Sequence, residues 1–185
     1  MPGPYIASKS KQRGPPMRTI TALFVGLGSI GTRHLKNLTN LCADRGWTLQ
    51  ADALRSDLHR PLRDGVADLL HAQYTDLANA PAQYDMVFIT NPTSLHAEAL
   101  QQVRGRGKAL FIEKPIFSAE QTGLDLASYL PAGQKAYVAA PMRWCGVMLA
   151  LKDLLPTLHP YCARVICSSY LPDWRPGVDY RTVYS

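Results

Sequence analysis

The chain has 185 residues, 46% of them hydrophobic, with 20 Lys and Arg against 14 Asp and Glu and a formal net charge of +6. That size and composition suit one α/β domain and part of a second, and no apolar run has the length of a membrane span. The charge does not read as a nucleic-acid footprint, because Lys9, Lys11, Arg13 and Arg18 crowd the first 18 residues without an acid and no basic–aromatic interleaving accompanies them.

Residues 1–17 join that charge to Pro2, Pro4, Pro15 and Pro16 and few large apolar side chains, which predicts a disordered basic tail. The tail lacks the apolar h-region of a secretory signal. A start at Met17 accounts for it more simply than a transit peptide does. Strand, turn and helix follow. Thr19–Val25 is apolar and β-branched, the run LFVGLGSIG (23–31) carries Gly26, Gly28 and Gly31, and Leu35, Leu38 and Leu41 recur at helical spacing over 29–42. In a dinucleotide reading of this G-x-G-x-x-G, Gly26 permits the tight turn. Gly28 lets a pyrophosphate approach the backbone, and Gly31 lets helix and strand pack closely. The free N–H groups at Ser29, Ile30 and Gly31 and the positive helix end then face the phosphates. The alternative is a plain Gly-rich βα turn.

Further strands are predicted at 48–54, 72–74, 85–90, 109–112 and 135–139, and helices at 61–70, 94–104, 119–130 and 143–155. Short strands that are apolar on both faces suit a parallel sheet covered on each side. One Gly-rich turn at the first strand makes this a Rossmann-type, doubly wound α/β domain, expected over 18–156. Residues 161–171, YCARVICSSYL, read as a longer strand, followed by a turn-rich loop with Trp174 and Arg175. A lone strand cannot bury a core, so 157–185 reads as the opening of a truncated second domain, with that strand as an unprotected edge.

The second strand ends in Leu54-Arg55-Ser56-Asp57, with Arg55 at the distance from the glycines where an acid would select NAD and an arginine NADP. Asp52 falls inside the strand. Arg55, with Ser56 beside it, therefore favours NADP, against a solvated loop arginine. The fourth strand delivers Thr90, Asn91 and Pro92 to the carboxyl edge, where open α/β sheets bind ligands. Thr93 or Ser94 can cap the next helix. His96 in its first turn either meets the cofactor or is a partly buried helix residue. The fifth strand ends in Glu113-Lys114-Pro115. A lysine there points toward the nicotinamide region and can exchange a proton with a substrate hydroxyl, while Glu113 orients its neighbours. The alternative is a surface ion pair beside a structural proline.

Four stretches in order, FVGLGSIGTRHLKNL, VFITNPTSLHAEAL, FIEKPI, and PMRW with YLPDWRPGVDYR, resemble the glucose–fructose oxidoreductase/inositol dehydrogenase-like (Gfo/Idh/MocA) oxidoreductases. The resemblance covers nearly all of 18–185. It implies hydride transfer between NADP or NAD and a hydroxyl-bearing carbon of a sugar, nucleotide-sugar or cyclitol, with a homo-oligomer in full-length relatives. It implies a catalytic and substrate-binding role for Lys114. It gives cofactor roles to Gly26, Gly28 and Gly31 and to the Asn91, Pro92 and His96 segment. It places Arg143, Trp174 and Arg175 near the substrate. Members continue through a larger second α/β domain with an open antiparallel sheet, which supplies an Asp and a His to the active site. Here His34, His59, His71, His96 and His159 all precede Trp174, so that half is unmatched. The competing reading is a non-catalytic dinucleotide-binding protein or an inactive fragment of such an enzyme. Cys42, Cys145, Cys162 and Cys167 form no C-x-x-C pair, which supports neither a metal site nor a disulfide and makes a reducing cytoplasm the expected location.

Overall fold

A computed structural model describes residues 18–166 together with 168, 170, 177 and 179, so the basic tail, Trp174 and Arg175 lie outside the described residues. Six strands form one sheet: β1 (Thr19–Val25), β2 (Thr48–Leu54), β3 (Ala72–Tyr74), β4 (Tyr84–Ile89), β5 (Gly107–Ile112) and β6 (Lys135–Val138). Their order is β3-β2-β1-β4-β5-β6 and every pairing is parallel. The order reverses between β1 and β4, and that crevice is where a doubly wound sheet offers a binding site.

Alternation along the strands builds two cores. Ala22, Phe24, Ala51 and Phe88 meet Leu35 of α1 (Ser29–Asp44) on one face. Leu23, Val25, Val87, Ile89, Leu110 and Ile112 meet Ala99 and Leu100 of α2 (His96–Gln102) on the other. Each large apolar side chain so buried contributes about 1.5–3 kcal/mol. These cores fix the height of the strands. Val25 stands beside both Leu54 and Ile89, Ile89 beside Ile112, and Ile112 beside Val138. The loops after β1, β2, β4, β5 and β6 therefore leave the sheet along one edge.

Four predicted helices are shorter, divided or absent, and the one at 94–104 is the 3₁₀ turn Thr93–Leu95 followed by α2 (His96–Gln102). Residues 119–130 contain only a 3₁₀ turn, Leu126–Tyr129. Local polar bonds win there. The Ser118 N–H donates to Gln121 Oε1 at 3.1 Å, and Asp125 Oδ1 accepts the Ala127 N–H at 3.0 Å, which are turn contacts that compete with a helix. Residues 61–70 yield only Ala67–Leu69, with Pro61 and Gly65 breaking the run. The last predicted helix is divided into a 3₁₀ turn, Pro141–Trp144, and α3 (Gly146–Leu154), because Cys145 between them is extended. α3 is apolar yet exposed, with Val147 78% accessible. The strand predicted from residue 161 does not form over 161–166, where Tyr161, Val165 and Ile166 are exposed. No neighbouring strand is present there among the described residues to complete a ladder. No helix among the described residues is long and apolar enough to cross a membrane.

Candidate functional site

The glycine loop joins β1 to α1, and its three glycines meet three different surroundings. Gly26 has φ +86°, and a Cβ there would lie 2.8 Å from the Asn91 Cα. A Cβ on Gly31 would lie 2.5 Å from the Gly26 carbonyl oxygen and 2.8 Å from Thr90 Oγ1. A Cβ on Gly28 would meet nothing within 4 Å. Gly26 and Gly31 thus allow close packing of the chain on itself, and Gly28 leaves open space at the start of α1. Gly28 caps that helix without a side-chain bond, and the Thr32 N–H to Gly28 carbonyl bond at 3.0 Å is the first of the helix. The N–H groups of Ser29, Ile30 and Gly31 precede that bond and have no intrahelical partner. This donor set and the open space beside Gly28 fit a pyrophosphate.

The β4 loop braces the glycine loop. Thr90 is buried, and its hydroxyl lies 2.6 Å from the Gly26 carbonyl oxygen and 3.2 Å from that of Val25. It supports the turn and has no free face toward a ligand. Asn91 donates through Nδ2 to the Leu95 carbonyl at 3.2 Å, while its Oδ1 is buried without a partner. Pro92 is exposed and opens the 3₁₀ turn Thr93–Leu95; neither Thr93 nor Ser94 makes the side-chain cap expected of it. His96 is 1% accessible. Its Nε2 and Nδ1 each lie 3.0 Å from a backbone carbonyl, of Asn91 and Ile116 respectively. Of its two predicted settings the structure has the buried one. His96 sits inside, between the β4 loop and the β5 loop, with one ring nitrogen facing a backbone carbonyl of each.

At the end of β5, Glu113 is buried and Lys114 exposed, and the Lys114–Pro115 peptide is cis. The Glu113 carboxylate does not pair with the neighbouring ammonium. Oε1 lies 2.6 Å from His34 Nε2, and Oε2 accepts the Lys114 backbone N–H at 3.2 Å. Burial alone would raise the Glu113 pKa, but the His34 and Lys114 N–H bonds and the nearby positive charges outweigh it and hold the carboxyl below its ordinary range. His34 rests between rings, 4.8 Å from Phe111 and 6.2 Å from Phe88 between centroids. Sequence reasoning missed this histidine. Its signal is position: it lies three residues after Gly31, on the same side of α1.

Beyond β2, Arg55 donates to Gln73 Oε1 at 2.7 Å and to the Arg60 carbonyl. Arg55, Arg60 and Arg63 line one cleft of about 420 Å³ with Asp64 and Gln73. Ser56 is exposed beside Arg55. Asp52, inside β2, is buried and takes the Tyr84 hydroxyl at 2.8 Å and His71 Nδ1 at 3.1 Å, so it faces the interior. Arg143 is exposed on the turn just after β6. Among the described residues no three His, Cys, Asp or Glu side chains are grouped to hold a metal ion.

Residues 20–136 match the family model of the GFO_IDH_MocA oxidoreductase family, NAD-binding Rossmann fold. The chain is 28% identical over 172 residues to the uncharacterized oxidoreductase YrbE of Bacillus subtilis, covering 88% of this chain and 48% of that protein. It is 31% identical over 103 residues to the inositol 2-dehydrogenase/D-chiro-inositol 3-dehydrogenase of Lactiplantibacillus plantarum, covering 55% and 29%. The fold matches the WlbA dehydrogenase of Chromobacterium violaceum, solved with NADH and UDP-GlcNAcA, with a TM-score of 0.62 at 22% identity over 77% of this chain and 41% of that one. The chain thus spans about half the length of these relatives or less.

Proposed function

The chain belongs to the oxidoreductase family with an NAD-binding Rossmann fold, and from that premise we propose an NADP-preferring oxidoreductase acting on a hydroxyl-bearing carbon of a sugar, nucleotide-sugar or cyclitol. One observation carries the nucleotide part: three glycines meet three different surroundings, with open space only at Gly28, beside unbonded helix N–H groups. We read 18–156 as the nucleotide-binding unit and 157–185 as the opening of a substrate and dimerisation domain.

In this reading Ser29, Ile30 and Gly31 hold the pyrophosphate through backbone N–H groups, and Thr90 holds the loop in shape beneath it. Asn91 and Pro92 line the carboxyl edge. Arg55 with Arg60 and Arg63 gives a phosphate on the ribose three guanidinium groups and a single lining carboxylate, Asp64. That charge balance favours NADP over NAD. When bound, the nicotinamide supplies or accepts the hydride. Lys114 exchanges the proton of the substrate hydroxyl at Nζ, and its exposure at the carboxyl edge leaves the amine available for this. Arg143, Trp174 and Arg175 are the substrate contacts in this reading. The sugar-like substrate class is supported by the nucleotide-sugar complex and the inositol dehydrogenase among the relatives.

The test is turnover of NADP or NADPH, read by nicotinamide absorbance, with cyclitols, free sugars and nucleotide-sugars as partners. Turnover in a version that carries the whole substrate domain, lowered about 10²–10⁴-fold by Lys114→Ala with nucleotide affinity kept, is the expected result. Wild-type rates in Lys114→Ala would refute the role of the lysine. Tight nucleotide binding without turnover on any of these alcohols would favour a nucleotide-binding chain with no catalysis of its own.

A further inference from the structure

Two of the site's loops come from opposite ends of the domain sequence, and one side-chain contact joins them. His34 lies on α1, the helix that begins at the glycine loop, and Glu113 follows β5 directly before Lys114. They are 79 residues apart in sequence and 2.6 Å apart in space. The carboxylate is bivalent here: Oε1 faces His34 Nε2 and Oε2 accepts the backbone N–H of Lys114. The Glu113 N–H itself donates to the Ile89 carbonyl at 3.0 Å, which fixes the residue to β4. Phe111 and Phe88 hold the imidazole in place. The contact is thus well enclosed, with the His34 and Glu113 side chains 19% and 11% accessible.

We propose that His34 is a positioning residue for Lys114, transmitting the placement of the glycine-loop helix through the Glu113 carboxylate to the lysine backbone. The proposal rests on the reading of Lys114 as the catalytic lysine. It assigns Glu113 to the inside of the site and not to an ion pair with its neighbour. The contact chain is short: helix α1, imidazole, carboxylate, Lys114 N–H. The bond is enclosed and charge-assisted, so it is shorter and stronger than a solvated one and ties the Lys114 backbone to α1.

The test compares the wild-type chain with His34→Ala and His34→Gln. Glutamine keeps a donor able to reach the same carboxylate, and alanine keeps none. Backbone amide exchange at Lys114, measured without nucleotide by heteronuclear NMR, should rise at least about ten-fold in His34→Ala and return to within about three-fold of wild type in His34→Gln. Amides of Phe24 and Val87 serve as the reference, so general loosening of the core is separated from a local effect. Equal exchange at Lys114 in wild type and His34→Ala would overturn the proposal. So would alanine and glutamine variants that behave alike. Adding NADPH to the same samples tests the nucleotide reading separately. Failure of the wild type to bind it removes that reading, and the nucleotide-free comparison still decides the role of His34.

Discussion

Replacing Gly31 and Gly28 one at a time by alanine separates packing from binding at the glycine loop. The Cβ of Gly31→Ala would lie 2.5 Å from the Gly26 carbonyl oxygen and 2.8 Å from Thr90 Oγ1. The first of these is backbone and cannot turn away, and the second takes part in the 2.6 Å bond that supports the loop. Overpacking of this kind costs about 1–3 kcal/mol, and loss of the Thr90 bond adds about 0.5–1.5 kcal/mol. Alanine's better helix propensity offsets about 1 kcal/mol of this. A net loss of about 0.5–3.5 kcal/mol lowers Tm by roughly 2–4 °C per kcal/mol for a chain of this size. Gly28→Ala meets nothing within 4 Å, so its stability should stay within about 0.5 kcal/mol of wild type. Its methyl group enters the space assigned to the pyrophosphate, so NADPH affinity should fall at least about ten-fold. Thermal melts and nucleotide fluorescence titrations on the same samples read both effects. A stable Gly31→Ala, or a Gly28→Ala that binds NADPH as wild type does, would refute the division of labour.

Other perturbations follow from the same geometry. Tyr84→Phe removes the buried hydroxyl that Asp52 takes at 2.8 Å. It should cost about 1.5–3 kcal/mol in denaturant melts at neutral pH. Burial, with Asp52 next, raises the Tyr84 pKa far above its ordinary 10. A folded value above the unfolded one gives stability that is present below pH 10 and lost as pH rises, so the wild type should weaken in alkali more steeply than Tyr84→Phe. Asp85 moves the other way. The Lys108 ammonium, then the Thr21 N–H, hold its carboxyl below the ordinary 3.8. Glu113 is likewise held below 4.5. Both bind fewer protons folded than unfolded, so their stabilisation is complete above about pH 5 and falls as pH drops through these values. Glu113→Gln should flatten that acid limb in a pH series of urea melts. Arg55→Ser should weaken NADPH binding about ten-fold or more and leave NADH within about two-fold. An equal loss for both nucleotides would place the cleft away from the ribose phosphate.

Much of this architecture was legible because its signals are local. The apolar run of Thr19–Val25 and the glycines behind it fold as strand, turn and helix, and Arg55 emerges where spacing places it. The misread segments depend on competition or on absent neighbours. At 119–130 the bonds of Ser118, Gln121 and Asp125 with nearby backbone displace a helix that apolar spacing alone suggests. At 161–166 the β-branched residues have no strand beside them among the described residues. His34 escaped notice because its meaning lies in a contact 79 residues away. His96 was legible as a choice between two settings, and only the carbonyls of Asn91 and Ile116 decide it. Glu113 was likewise legible as a choice, between orienting its neighbours and pairing with Lys114, and the carboxylate turns back toward His34 on α1.

Calorimetric titration of this chain with NADPH and NADH side by side decides whether the glycine loop and the arginine cleft form a nucleotide site that prefers a phosphorylated ribose. Saturable binding of both at one site per chain is expected, with NADPH about ten-fold tighter or more and its advantage shrinking as salt rises. Binding of neither nucleotide would refute the site, and NADH bound more tightly than NADPH would overturn the role given to the arginine cleft.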